Sequence, residues 1–234
     1  MTIINNKIYA EFTVKGIPCP LCFVQGGTMD IGEGEDKHSV TIPSFHIGQF
    51  QVTQELYKVI MKEIPSHFKG ATRPVERVSW DDTHKFLNEL NILTGKEFRL
   101  PTESEWEFAA KGGIESQGYK FCGSDDIKQV GWYRDNSGRE TKPVGLLLPN
   151  ELGIYDMSGN VWEWCEDDYH SNFKVAPPNG KPWIDRPDRA VYRVIRGGYY
   201  FSYADFCRPA YRYDISPDLR YYFIGFRVVL APVQ

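Results

Sequence analysis

The run Arg99-Leu-Pro-Thr-Glu-Ser-Glu-Trp-Glu-Phe-Ala-Ala-Lys-Gly-Gly113 encodes its own helix. Thr102 stands three residues before Glu105. That is capping-box spacing: the hydroxyl accepts the Glu105 amide proton and the carboxylate reaches back to the Thr102 N–H. Glu103, Glu105 and Glu107 fall on the opening turns, where carboxylates suit the helix dipole. They need no catalytic role there. Trp106 reads as core, and Gly112-Gly113 ends the helix.

Upstream, the same grammar recurs. Ser79 with Asp82 forms a second box, and Trp80, Thr83, Phe86, Leu87, Leu90 and Leu93 keep helical spacing until Gly95. Thr53 caps a shorter helix over Gln54–Met61. Before it come strands: Lys7 to Lys15 alternates as a half-buried strand does. Phe23 to Gly32 places paired glycines in a turn between two strands, and Val40 to Phe50 is strand-like, broken by Pro43 and Gly48. Beyond residue 113, Gly, Pro, Asn and Asp recur every few residues between tryptophans, and no helix fits. That stretch is too aromatic for disorder, so a loop-dominated globule is expected. Nothing divides the chain, and residues 1–234 read as one domain.

The 234 residues carry 27 basic and 31 acidic side chains, a net charge of -4. No global basic field exists to hold nucleic acid. No apolar run reaches the ~18–20 residues of a membrane helix, and the first residues carry no signal-peptide pattern. Localisation stays open between the cytoplasm and display on a cell or phage through an anchoring partner. The five cysteines make no disulfide scaffold, and Cys19-x-x-Cys22 lacks a second pair at zinc spacing. The pair reads as two thiols in a loop.

These segments carry a family resemblance. Arg99 to Gly113, Gly153-Ile-Tyr-Asp-Met-Ser-Gly-Asn-Val-Trp-Glu-Trp-Cys165, Arg193-Val-Ile-Arg-Gly-Gly198 and Gly225-Phe-Arg-Val-Val229 resemble four signatures of the formylglycine-generating-enzyme (sulfatase-modifying factor) domain. Phe23 to Gly32, Val52-Thr53-Gln54 and Pro74-Val-Glu-Arg-Val-Ser-Trp80 complete the set. The resemblance implies an α+β, C-type-lectin-like fold, with small antiparallel sheets, two to three helices and much irregular structure. It also implies that N- and C-terminal strands pair, here Lys7–Lys15 against Phe226–Leu230.

The fold hosts oxidases, sulfoxide synthases and binding proteins, so function rests on individual residues. The family oxidase holds copper through two cysteines, which correspond here to Ser202 and Cys207. A serine hydroxyl is a poor ligand for soft Cu(I), so an active oxidase is disfavoured and Cys207 reads as a packing residue. The sulfoxide-synthase branch needs a His-rich iron-binding domain, and the five histidines form no H-x-x-x-H pair. Calcium is implied at the second signature, through Asp156 and Glu163 side chains and the Gly159 and Val161 carbonyls. The alternative is a turn held by Asp156 and Glu163 hydrogen bonds alone. No cofactor is otherwise required.

From Tyr199 to Phe223, 10 of 25 residues are Tyr or Phe. The frame of this segment (Ala204, Cys207-Arg208, Ala210, Arg212, Pro217-Asp218, Arg220, Ile224 to Arg227) resembles the variable region of diversity-generating retroelement variable proteins, placed here at about 193–227. In that family, asparagine codons are randomised at adenine, which yields Tyr, Phe, Ser, Asp, Ile, Leu or Pro and never Lys, Glu, Gln, Met or Trp. Those five types make 47 of the 234 residues and none of this segment. Chance absence is on the order of half a per cent at average usage.

The reading is a non-catalytic binder of protein or surface ligands. A formylglycine-generating-type oxidase, or a related oxygen-dependent enzyme, is the alternative. Tyr199, Tyr200, Phe201, Ser202, Tyr203, Asp205, Phe206, Tyr211, Tyr213, Asp214, Ser216, Leu219, Tyr221, Tyr222 and Phe223 are expected to form the variable surface, mostly exposed. Tyr gives rigid contact area at low entropy cost, while Ser and Asp add adaptable hydrogen bonds. Arg196, Gly197, Gly198, Cys207, Ala210, Pro217, Gly225 and Phe226 are expected to form the frame beneath. Arg208, Arg212 and Arg220 either hold that frame or join the surface.

Overall fold

The capping signals become helices in a computed structural model that describes residues 2–4 and 7–230. Helix α1 spans Gln54–Met61 under Thr53, and α2 spans Trp80–Thr94, closed by Gly95 in the left-handed conformation. Helix α3 spans Glu103–Ala110. Both boxes close: Ser79 Oγ and Thr102 Oγ1 each accept the N–H three residues on, and the Asp82 and Glu105 carboxylates return the bond. A one-turn helix, α4 (Ile127–Val130), lies in the region expected to hold none. Asp126 caps it by accepting the Lys128 N–H. Four residues are too few to show a helical period, so only the cap could have announced it.

Two sheets organise the chain. The first runs Thr2–Ile4, Lys7–Ala10, Leu21–Val24, Phe45–Gly48, Val229–Leu230, Phe98–Arg99 in spatial order. The expected pairing of Lys7–Lys15 with Phe226–Leu230 is corrected here. Lys7–Ala10 pairs with Leu21–Val24, and Val229–Leu230 pairs with Phe45–Gly48 and Phe98–Arg99. The two ends share a sheet with two strands between them, because Lys15-Gly16 turn at positive φ and fold the segment into a small hairpin, Thr13–Val14 with Ile17–Pro18. Cys22 lies on the strand Leu21–Val24, not in a loop; all five cysteines are buried.

The second sheet runs Arg212–Ile215, Arg193–Arg196, Trp162–Asp168, Ile224–Gly225. The last pairing is parallel: Trp162 lies opposite Ile224 and Glu163 opposite Gly225. One core joins α1 and α2 to this sheet through Tyr57, Phe86, Trp162, Trp164 and Phe226. Another packs Val24, Phe45, Trp106, Phe108, Cys165 and Val194 around α3. Every side chain of α3 is buried, glutamates included.

Candidate functional site: an aromatic surface on a charged frame

Glutamates can be buried on α3 only because arginines meet them. Glu103 accepts from Arg196 at 2.9 Å and from Arg212 at 2.6 Å and 2.7 Å. Glu107 accepts from Arg196 at 2.6 Å and pairs with Lys111 at 2.6 Å. Glu105 is held by Arg99 through both oxygens at 2.6 Å. Burial alone would raise the Glu107 carboxyl, yet the Arg196 and Lys111 charges hold it below the usual range. Arg196 and Arg212 are register partners on adjacent strands of the second sheet, so this network fixes the bed of the aromatic segment.

The segment leaves that bed through Gly197 and Gly198, at φ +95° and +77°. A Cβ on Gly198 would stand 2.6 Å from Cys207 Sγ, so only glycine makes this turn. A 3-10 turn over Ala204–Cys207 then delivers Cys207 into a pocket of Phe121, Ile127, Val130 and Tyr133. Burial pushes its thiol well above the ordinary range. The chain returns along Arg212–Ile215 and re-enters at Ile224–Gly225. On the way, the Pro217 carbonyl accepts the Trp80 N–H and the Tyr221 carbonyl accepts the Arg77 N–H. Arg220 grips Asp82, and Arg208 binds Glu33 and the Asp205 carbonyl, so all three undecided arginines hold the frame.

The surface expected to be mostly exposed is corrected: of its fifteen residues only Tyr203, Asp205, Phe206, Tyr213, Tyr221 and Tyr222 are exposed. Tyr199, Phe201, Tyr211, Asp214, Ser216, Leu219 and Phe223 are half-buried. Tyr200 and Ser202 are buried, at 3% and 2% exposure, and are corrected to frame positions. The Tyr200 ring stands edge-on to Phe68 at 5.3 Å, and its carbonyl accepts the Ser137 hydroxyl. Ser202 Oγ accepts the Tyr199 N–H at 3.0 Å, and its carbonyl accepts the Arg134 N–H. Of the expected frame, Arg196, Gly197, Gly198, Cys207, Ala210, Gly225 and Phe226 are buried, while Pro217 is half-buried.

The rings touch one another in sequence. Tyr203 meets Phe206, Phe206 meets Tyr211 at 4.8 Å, and Tyr211 and Tyr213 both meet Trp162, at 6.1 Å and 6.0 Å. Tyr221 stacks on Phe223, and Phe223 lies 4.8 Å from Tyr199. Between the two groups is a cavity of about 380 Å³ floored by Trp162. Trp162 is buried, at 5% exposure, yet one face looks into this cavity.

The copper and calcium sets can be tested on geometry. Ser202 offers a hydrogen-bonded hydroxyl, and Cys207 is fully buried and does not line the cavity. The pair does not fit a Cu(I) ion. At the implied calcium position, Gln51 Nε2 stands 3.2 Å from the Asp156 carbonyl, 3.5 Å from Gly159 O, 3.2 Å from Val161 O and 2.9 Å from Glu163 Oε1. The Asp156 carboxylate turns away to accept the Gly145 N–H, and Glu163 is already bound by Arg227 through both oxygens. The amide fills the space and Arg227 supplies the charge, so these residues do not fit a calcium ion. Sequence alone missed Gln51, which lies 105 residues from Asp156 in the chain.

Comparison with known proteins gives the family and the fold. The Sulfatase-modifying factor enzyme 1-like domain matches residues 18–232. The chaperone protein LppX of Paenibacillus barcinonensis is 33% identical over 89% of this chain and 88% of its own. A formylglycine-generating enzyme of Streptomyces coelicolor is 34% identical over 66% of this chain and 51% of its own, so the match spans about half of that enzyme. Treponema denticola variable protein 1 superposes with a TM-score of 0.88 at 30% identity, over 96% of this chain and 99% of that one. The C-type-lectin-like α+β fold is shared with these proteins.

Proposed function

This chain belongs to the Sulfatase-modifying factor enzyme 1-like family, and from that premise we propose that it is a non-catalytic member, binding a protein or surface ligand through a diversified aromatic surface. One observation carries the reading: between Tyr199 and Phe223 the exposed rings stand on a frame of carboxylate-paired arginines, with buried Arg196, Gly197, Gly198 and Cys207 beneath. Surface substitutions mostly cost within ~0.5 kcal/mol, and core truncations about 2–5 kcal/mol. A segment built this way tolerates wholesale change at its exposed positions. An apolar patch of this kind marks a binding surface.

The likeness to a protein named as variable, over nearly the whole chain, supports the same reading. So does the failure of Ser202 and Cys207 to supply two thiolates. No helix of the described residues is long and apolar enough to cross a membrane.

Two measurements test the proposal. The neighbouring DNA should hold a near-copy of the codons for residues 193–227, with asparagine codons at the diversified positions, beside a reverse transcriptase. The reduced protein, titrated with Cu(I), should show no stoichiometric binding through Cys207 and no oxygen uptake on a cysteine peptide. Tight copper binding with turnover would restore the oxidase.

A further inference from the structure

We propose that the cavity over Trp162 is a receptor for a cationic side chain, the guanidinium of an arginine on the ligand protein. The inference deepens the binding reading above and rests on it. The cavity walls are the rings of Trp162, Tyr199, Phe206, Tyr211, Tyr213 and Phe223, with Ser202 the only other lining residue. No charged group lines it. Its volume, about 380 Å³, falls at the small end of ligand pockets, which run from roughly 300 to 1,000 Å³.

Aromatic faces carry negative quadrupole density and attract cations, most strongly at tryptophan. This chain uses that attraction repeatedly. Arg189 and Arg193 each lie 5.0 Å from the Trp80 ring centre, and Arg196 lies 5.4 Å from Trp106. Just outside the cavity, Arg134 covers Tyr203 at 4.6 Å and Arg134 and Arg139 both approach Phe201. Among the described residues, no cation lies over any of the six cavity rings. Arg208, on the same segment, is held by Glu33 and the Asp205 carbonyl.

A neutral apolar occupant would gain burial alone. A guanidinium gains burial of its flat faces between rings and the cation–π attraction as well, and it meets no positive charge on the walls. Arginine is preferred to lysine because its planar, weakly hydrated head stacks on aromatic faces. Tyr213 lies 26° from the Trp162 plane with centroids 6.0 Å apart, an inclined pair of faces at the cavity.

The test uses small probes, so it does not depend on knowing the ligand. The full chain is titrated with N-acetyl-arginine methylamide, its neutral isostere N-acetyl-citrulline methylamide, and choline, followed by NMR shifts of the tryptophan indole protons. Saturable shifts of the Trp162 indole proton with the arginine amide, at least tenfold tighter than with citrulline, are expected. Tyr213→Ser should abolish the preference, and Tyr192→Ser, at an exposed ring outside the cavity, should keep it. Equal binding of arginine and citrulline, choline binding in place of arginine, or no saturable shift with any probe would each overturn the inference. If the arginine amide fails while the exposed tyrosines still prove essential for the natural ligand, the inference falls and the binding reading stands.

Discussion

Arg212 closes on Glu103 with two nitrogens, Nε to Oε1 at 2.6 Å and Nη2 to Oε2 at 2.7 Å. The arginine sits between Tyr211 and Tyr213, whose rings turn to the opposite side, toward Trp162. Alternation along the strand Arg212–Ile215 thus separates what anchors from what is displayed.

Without Arg212, buried Glu103 keeps only Arg196, which Glu107 also uses, and breaking a buried pair costs about 3–5 kcal/mol. Arg212→Ala should lower Tm by at least about 6 °C at roughly 2–4 °C per kcal/mol for a chain of this size. Thermal unfolding followed by circular dichroism checks it. An unchanged Tm would mean that the Glu103 clamp is not holding the strand.

The display side should behave in the opposite way. Tyr203, Tyr213 and Tyr222 are 61%, 51% and 49% exposed, and replacing all three with Ser should cost at most about 1.5 kcal/mol and shift Tm by no more than about 3–6 °C. Binding of the natural ligand should be lost. Tyr200→Ser alone, inside the frame, should cost on the order of 3 kcal/mol. Paired melts of the triple and the single variant decide which tyrosines are displayed.

These contrasts mark the limit of the sequence. Capping residues act on their own neighbours three positions away, so α2 and α3 could be placed from Ser79, Asp82, Thr102 and Glu105. The aromatic segment was legible because its Tyr and Phe content stands out in composition alone. Exposure within the segment was not, since Tyr200 and Tyr203 are the same letter three residues apart. Only the arrival of Phe68 and Ser137 from distant chain buries the first. The α3 glutamates were readable as dipole partners, yet their arginine partners lie about 90 residues or more downstream for Glu103 and Glu107.

At the second signature, the amide of Gln51 should make metal unnecessary. Millimolar calcium and a chelator should leave Tm unchanged within about 1 °C, well under the shift of a 1 kcal/mol effect. Gln51→Ala should cost about 1–3 kcal/mol by orphaning buried oxygens. Gln51→Glu would set a second carboxylate against Glu163; that variant alone should be destabilised and then rescued by calcium. Stabilisation of the unmodified chain by calcium would sink this account.

Stability should peak in mildly acidic solution. Burial raises three carboxyls: Asp156 to about 6, Glu76 to about 7, and Asp167, with Glu103 beside it, to about 8. A raised carboxyl keeps its proton only when folded, so stability declines as pH climbs from ~4 through those values. Asp82 titrates the other way. Burial opposes it, but Arg220 and Ser79 bring it down to about 2, and its contribution is lost as pH falls below ~4. Melts from pH 3 to 9 should show the highest Tm near pH 4 and a steady fall toward pH 9. A Tm that rises steadily to pH 9 would contradict these burials.

The strand Trp162–Asp168 receives both ends of the aromatic segment: Arg193–Arg196 antiparallel on one edge and Ile224–Gly225 parallel on the other. The segment is therefore a closed loop whose two feet are bolted to one girder, and its span does not depend on what it carries. A cassette with such feet can be lifted out and exchanged whole. Related chains that keep the girder and both footings should accept one another's loops as interchangeable heads, giving a grafting site in which recognition is swapped without redesigning the body.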